Sequence, residues 1–301
     1  MHAQPHSSES VQRCLRDPRW GTTVRAVLLA RWLRLRREEA GVTPAEAARH
    51  IRGSVSKISR METASSPLKE RDVADLLRLY GAPETECAEA LLMVRLVNEP
   101  GWWQRYNSTA LPQWLQTLVG LERDARLIRT YEVQFVPGLL QTRAYADAVV
   151  RSGDGLLPGE GVRHRVELRL ARQEMFRGVR PPVLWAVIDE AVLMRPVGGK
   201  DVMREQLEHL LAATDRPGVH IQVAPFEAVA QIALGVPVTL LRFDSPALPD
   251  IVYLEHMTDA VYLDKDSDVE TYRSVLDRLG TLALPPARSR KAIRDALDRH
   301  R

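Results

Sequence analysis

Hydrophobic positions in the first hundred residues recur at three- and four-residue steps. Val24, Leu28, Trp32 and Leu35 trace one face of a helix over 22–40. Thr22 or Thr23 can cap it, and Gly41 suits the left-handed position after its end. Thr43 starts a second helix, with Pro44 at its first position and Glu46 at its third, the pattern of a capping box. That helix reaches about Ile51. Gly53 interrupts the chain, and Ser54 caps a third short helix over 55–62. Val73, Leu76, Leu77 and Tyr80 predict a fourth over 70–80, stopped by Gly81 and Pro83. Ala88, Leu91, Leu92 and Arg95 predict a fifth over 84–98. Residues 1–18 are polar, carry Pro5 and Pro18, and read as a flexible leader.

Beyond Pro100-Gly101 the period changes. Helical stretches at 111–127, 142–152, 159–177, 200–215, 267–282 and 286–299 mix with β-rich runs at 183–188, 219–223, 236–243, 251–255 and 261–263. The pattern predicts a multidomain chain: a leader at 1–18, an all-α domain at 19–98 and an α+β domain at 100–301. A length of 301 residues fits two domains of about 150 each.

Composition narrows the class. At 45% hydrophobic and 27% charged residues the chain is globular in type. No run approaches the roughly 18 apolar residues of a membrane helix, and the N-terminal stretch has no apolar core of a signal peptide. Cys14 and Cys87 are too few for a disulfide framework or a Cys-only zinc site, so a cytoplasmic protein with reduced thiols is expected. Much arginine and alanine with little lysine suggests a high-GC genome.

Net charge is only +3, but it is unevenly placed. Residues 19–63 hold ten basic and four acidic groups, a net of +6, while the rest is slightly acidic. Such a stretch is either a solvated helical face or a phosphate-binding surface.

What lies inside the stretch favours the second. Two short helices joined by a tight turn over 43–62 have helix-turn-helix geometry, with Ala47, Ala48, Ile51, Ile58 and Met61 as apolar contacts. The alternative is a structural helical hairpin. The second helix would expose Val55, Ser56, Lys57, Ser59 and Arg60, side chains suited to a major groove. Serines bond either base type, Val55 can meet a thymine methyl, and Lys57 or Arg60 can bond guanine or phosphate. Arg34 and Arg36 would add phosphate or base contacts, and the helix starts at Thr43 and Ser54 would offer backbone N–H groups to phosphates.

Residues 25–81 resemble the lambda-repressor-like (Xre/Cro/CI) helix-turn-helix domain. The matching residues are Arg37, Gly41, Thr43, Glu46, Ala48, Ile51, Ser54, Ile58, Ser59, Glu62 and the trailing Leu76, Leu77, Tyr80 and Gly81. The resemblance implies an ion pair between Arg37 and Glu62, and a double-stranded DNA partner. Three positions depart from the pattern. Pro44 stands where relatives often carry a DNA-touching Gln, Arg52-Gly53 replaces Gly-Val, and Ala47 replaces Leu.

A second resemblance covers most of 100–290. Gly101-Trp102-Trp103, Leu121-Glu122, Tyr131-Glu132, Val136-Pro-Gly-Leu-Leu-Gln-Thr142, Tyr145-Ala146, Arg169, Arg172-Gln173, Asp189-Glu190-Ala191 and Gln206-Leu207 follow an order similar to the C-terminal domain of actinobacterial WhiJ-like regulators. It implies transcription control and a small partner protein encoded nearby. It also leaves a rival reading, an antitoxin-like protein that neutralises that partner and uses DNA binding for autoregulation.

Other constellations carry less. Trp102 and Trp103 cage a ligand or partner, or anchor the domain core. The 136–142 segment, with Gln141, is a structural joint or a partner site. Asp189 and Glu190 offer acid/base chemistry only if a nucleophile or metal set accompanies them, and none does; pairing with the arginine-rich 163–180 helix is the alternative. His164, His209, His220 and His256 lack ligand spacing, and nucleotide-binding and hydrolase signatures are missing. The expectation is a non-enzymatic DNA-binding regulator without metal or cofactor, sensing a partner or ligand through its second domain. A homodimer would read half-sites ~34 Å apart.

Overall fold

The computed structural model describes residues 8–106, 112–153, 158–232 and 234–300. Its chain forms two compact units. The first closes at Trp102 and takes in Ser245–Leu248; the second runs Trp103–Asp244 and Pro249–Arg301.

The first unit is helical, as its period predicts. Its helices are α1 (Ser8–Leu15), α2 (Thr22–Glu39), α3 (Pro44–His50), α4 (Val55–Glu62), α5 (Glu70–Leu79) and α6 (Glu84–Val97). Val24, Leu28, Leu29, Leu33, Ile58, Leu77 and Val94 fill its core, nearly free of solvent contact. Gly41 and Gly81 take positive φ at +66° and +68°, as expected where a helix ends and the chain turns back. Gly21, rather than Thr22 or Thr23, is the N-cap of α2.

Ser8–Leu15 corrects the reading of a flexible leader. Val11 and Leu15 stand one turn apart and are buried, and Ser8 donates from its backbone and hydroxyl to the Glu39 carboxylate at 3.2 and 2.8 Å. Two apolar residues in a polar run are a faint periodic signal, which the flanking prolines obscure. Residues 1–7 of that leader lie outside the described residues.

The second unit is built on one six-stranded mixed sheet. In chain order its elements are α7 (Gln113–Asp124), β1 (Leu127–Glu132), α8 (Arg143–Gly153), α9 (Gly159–Gln173), β2 (Val183–Asp189), α10 (Glu190–Met194), α11 (Lys200–Ala213), β3 (Val219–Ala224), α12 (Phe226–Val229), β4 (Val238–Arg242), β5 (Ile251–Glu255), β6 (Ala260–Leu263), α13 (Asp266–Leu282) and α14 (Pro286–Arg299). The spatial order is β3-β2-β1-β4-β5-β6. β1 pairs parallel with β2, and β2 with β3; the other pairings are antiparallel. β1 and β5 therefore point the same way, and Glu132 and Glu255 end at the same edge of the sheet.

Helices cover both faces. Tyr131, Val187, Leu240 and Val252 share one face and pack against Val269, Leu276 and Leu279 of α13. The other face carries Thr130, Thr239, Tyr253 and Tyr262 in register across four strands. There the Tyr262 hydroxyl donates to the Trp114 carbonyl of α7 at 2.5 Å.

β1 is the one strand the hydrophobic pattern misses. The predicted helix over 111–127 ends at Asp124, and after Ala125 and Arg126 the six residues Leu127–Glu132 form a central strand; residue 111 lies outside the described residues. Among the described residues, no helix is long and apolar enough to cross a membrane.

Candidate nucleic-acid interface

The α3–α4 pair is fixed by its ends. Thr43 Oγ1 accepts from the Glu46 backbone N–H at 3.2 Å, while Glu46 Oε2 accepts from the Thr43 backbone at 2.8 Å, completing the capping box. Those hydrogen bonds also hold the Glu46 carboxyl below its usual pKa. Ser54 caps α4 by accepting from the Lys57 N–H at 3.1 Å. The turn between the helices is made by Arg52 at φ +51°, so the left-handed residue is an arginine and not its glycine neighbour. Gly53 serves a different need. A Cβ there would lie 3.1 Å from Lys57 Cδ and 3.4 Å from Ile51 Cγ1, tighter than ordinary contact.

Ile58 and Met61 bury the inner face of α4 beside Ala47 and Ala48 of α3. Glu62, in its last turn, is locked by Arg37 of α2. Arg37 Nε and Nη2 donate to the two carboxylate oxygens at 2.6 and 3.0 Å, and Nη1 donates to the Val42 carbonyl at 3.0 Å. The bidentate bond to Glu62 raises the Arg37 pKa further, and burial together with the Glu62 charge raises that of Tyr80. This is the pairing that the first resemblance implies.

The outer face of α4 is open. Ser54, Val55, Ser56, Ser59 and Arg60 are exposed, Val55 by 52%, large for an aliphatic side chain. The basic residues expected to join them divide into two groups. Lys57 Nζ lies 2.7 Å from Asp72 Oδ2 of α5, its stem across the turn beside Gly53. Arg36 is largely buried and pairs with Glu39 and with Glu86 of α6 at 3.4 and 3.3 Å. Arg34 pairs with Glu38 one turn along α2 at 2.9 Å. The structure thus ties up Arg34, Arg36 and Lys57, and Arg36 belongs to the α2–α6 contact.

Arg60 has no ion pair among the described residues, nor have Arg49, Arg52 or Lys69. All four are exposed. Arg49 lies in the last turn of α3, Arg52 shapes the turn, and Lys69 is the N-cap of α5, beyond the loop that Ala64 enters at φ +53°. Nothing in the local sequence singles out Arg49, Arg52 or Lys69 as DNA contacts. Absence of a carboxylate partner, their distinguishing feature, is not visible in a linear sequence.

The remaining expected residues do structural work. Trp102 and Trp103 lie in a 3-10 turn, with Trp103 buried. Gln141 is buried, donating to the Val136 carbonyl at 2.7 Å and accepting from Arg169 at 2.9 Å. Gln206, fully buried, accepts from Thr142 N and donates to Leu140 O, both at 2.7 Å. These bonds fasten the 136–142 joint.

Asp189 caps α10 through Ala191 N at 2.8 Å and accepts from the Tyr131 hydroxyl at 3.2 Å. Glu190 accepts from Phe226 N at 3.3 Å. Among the described residues no ion pair joins either to the arginine-rich helix, contrary to what the sequence alone suggests; Arg169 and Arg172 of α9 face Glu122, Glu132 and Gln141 instead. That ionic layer also escaped the sequence reading as a site, although Glu122, Glu132, Gln141, Arg169, Arg172 and Gln173 all carry the second resemblance. Their convergence was the available signal. Among the described residues, no group of three or more His, Cys, Asp or Glu side chains is placed to hold a metal ion.

Comparison with known families gives two matches. Residues 28–90 match the family model described as Helix-turn-helix domain. Residues 115–295, more than half of the chain, match the model described as Domain of unknown function (DUF5753). No curated protein and no solved structure matches the chain.

Proposed function

We infer the function from the premise that this chain belongs to the DUF5753 family and carries a helix-turn-helix domain ahead of the family's defining region. It is a sequence-specific, double-stranded-DNA-binding transcriptional regulator without enzymatic activity, acting in the cytoplasm. The observation that carries this reading is the outer face of α4: an apolar, two-hydroxyl, one-guanidinium surface left open while the inner face is locked by Arg37–Glu62. Such a helix fills a major groove with Val55, Ser56, Ser59 and Arg60 toward base edges. Arg49, Arg52 and Lys69 supply phosphate contacts around it, since none of them is held in an ion pair among the described residues. One module of this size reads few base pairs, so the active form is a homodimer on half-sites ~34 Å apart. The second unit supplies the regulatory input, a small partner or ligand.

Genome-wide mapping of bound fragments, followed by gel-shift titration on the recovered site, tests this. Arg60→Ala together with Ser56→Ala removes selective binding while circular dichroism stays unchanged. Undiminished selectivity in a folded double variant refutes the placement of α4. The affinity of the wild type falls steeply with salt, and a flat log K against log salt plot removes the phosphate contacts.

A further inference from the structure

The second unit holds an ionic layer that DNA binding does not use. Glu132 ends β1, and Arg169 and Arg172 stand one turn apart on α9. Arg172, its side chain nine-tenths buried, spends Nε and Nη2 on Glu122 of α7 at 2.8 and 2.7 Å. Arg169 spends only Nη1, on Gln141 Oε1 at 2.9 Å. Among the described residues, Nη1 of Arg172 and Nε and Nη2 of Arg169 donate to nothing. These nitrogens are not among the atoms sealed from solvent, so water reaches them. They converge beside Gly138, where a methyl on the Cα would lie 3.6 Å from Arg172 Nη1 and 3.9 Å from Arg169 Nε.

Water can serve these donors in the free protein, but a charged acceptor bridging two adjacent guanidinium groups bonds them more strongly. Three carboxylates lie nearby, and the charges of Glu255 and Glu132 partly offset that of Arg169. Glu122 is already filled, and burial, then the charge of Glu255, pushes the Glu132 carboxyl up to about 8. Burial, then the neighbouring Arg172, brings Arg169 down to about 10, against the opposing pull of the Glu255 and Glu132 charges.

We propose that the spare donors of Arg169 and Arg172, beside Gly138, form an oxyanion site for the carboxylate or phosphate group of a small molecule. Glu132 in its protonated form faces the same layer and adds a hydrogen-bond donor. Gln141 sits in the turn joining β1 to α8, so an anion that draws on Arg169 competes with the bond fastening that turn. The site stands on its own geometry and does not depend on the DNA-binding reading.

The test is a titration of the full chain with acetate and with inorganic phosphate, at ionic strength held constant with chloride, followed by thermal unfolding. A saturable rise in midpoint is expected, with half-saturation on the order of a millimolar, as suits so small a probe. Whichever anion saturates lower names the group. Arg169→Lys weakens the effect, and Arg169→Gln abolishes it. The groups facing Glu132 are Glu255 of β5, Arg169 and Arg172 of α9, Tyr145 of α8 and the Thr130 hydroxyl. Acetate affinity therefore falls about tenfold from pH 7 to pH 9 as Glu132 ionises. Glu132→Gln keeps binding and flattens that dependence. An equal rise in wild type and Arg169→Gln, or no saturable rise with either anion, overturns the proposal. Should Arg169→Gln fail to fold, acetate affinity in the wild type that ignores pH overturns it as well.

Discussion

Each unit contains a buried arginine–glutamate fork, and the two forks leave different things behind. Arg37 engages all three of its side-chain nitrogens, on both oxygens of Glu62 and on Val42 O. The proposed DNA-binding face lies elsewhere, on the outside of α4. Arg172 is gripped as tightly by Glu122 but keeps one amino group open beside a second arginine that is barely used. In the first unit the buried cation positions a surface. In the second, the buried cations are themselves the candidate site.

Removing one partner of each fork is the strongest way to test that contrast. Glu122→Ala strands Arg172 in the interior and is expected to cost the second unit about 3–5 kcal/mol in chemical unfolding. Glu122→Leu with Arg172→Met restores most of that loss, because the cost lies in the orphaned charge. A loss under 1 kcal/mol from the single change would show that water already compensates Arg172. Glu62→Ala is expected to cost the first unit about 3 kcal/mol, near the lower end of the same range, since Arg37 keeps its bond to Val42. It also weakens DNA binding, because α4 loses its tether to α2. Stability loss with unchanged binding would separate the fork from the interface.

The sequence made these two forks unequally visible. Arg37 and Glu62 are 25 positions apart inside a recognisable motif. Arg172 and Glu122 are 50 apart, with a strand, a turn and a helix between them. Four helix ends in the first unit are legible because they are written locally, as Thr43 with Glu46, Ser54, Gly41 and Gly81, whereas the start of α2 at Gly21 carries no such signal. β1 was not legible. Leu127-Ile-Arg-Thr-Tyr-Glu carries an arginine mid-strand, and only tertiary partners explain its burial. Arg129 lies 4.3 Å over the Trp185 ring and bonds Asp277 at 2.5 Å. The open face of α4 was readable from its period. Which cations around it are free was not, because Glu38, Glu86 and Asp72 lie on three different helices.

The free cations give the next test. Arg60→Ala is expected to cost about 1–3 kcal/mol on the recovered site and to relax preference at one base position. Arg52→Ala, beside the groove but outside the helix, lowers affinity alike on all sequences and reduces the salt slope by about one. Arg36→Ala, by contrast, acts through the α2–α6 contact and leaves the slope unchanged. A loss of slope with Arg36→Ala would return that residue to the interface.

The smallest effect separates a cation that touches DNA from one that is withheld. Lys57 points its ammonium at Asp72, and its stem runs close beside Gly53. Surface pairs contribute about 0.2–1 kcal/mol, and this partly buried one is removed by one substitution with little loss of stability. Asp72→Asn frees Lys57 at the edge of the recognition helix without adding bulk. On a mixed-sequence duplex, the slope of log K against log salt then steepens by about 0.9, one added phosphate contact, and selectivity for the recovered site falls as non-specific affinity rises. Lys57→Ala alone leaves the wild-type slope where it was, since the wild-type lysine contributes no contact to lose. The reverse result, a shallower slope in Lys57→Ala and none steeper in Asp72→Asn, would mean that DNA already takes Lys57 from Asp72 and that the free pair describes only the unbound protein.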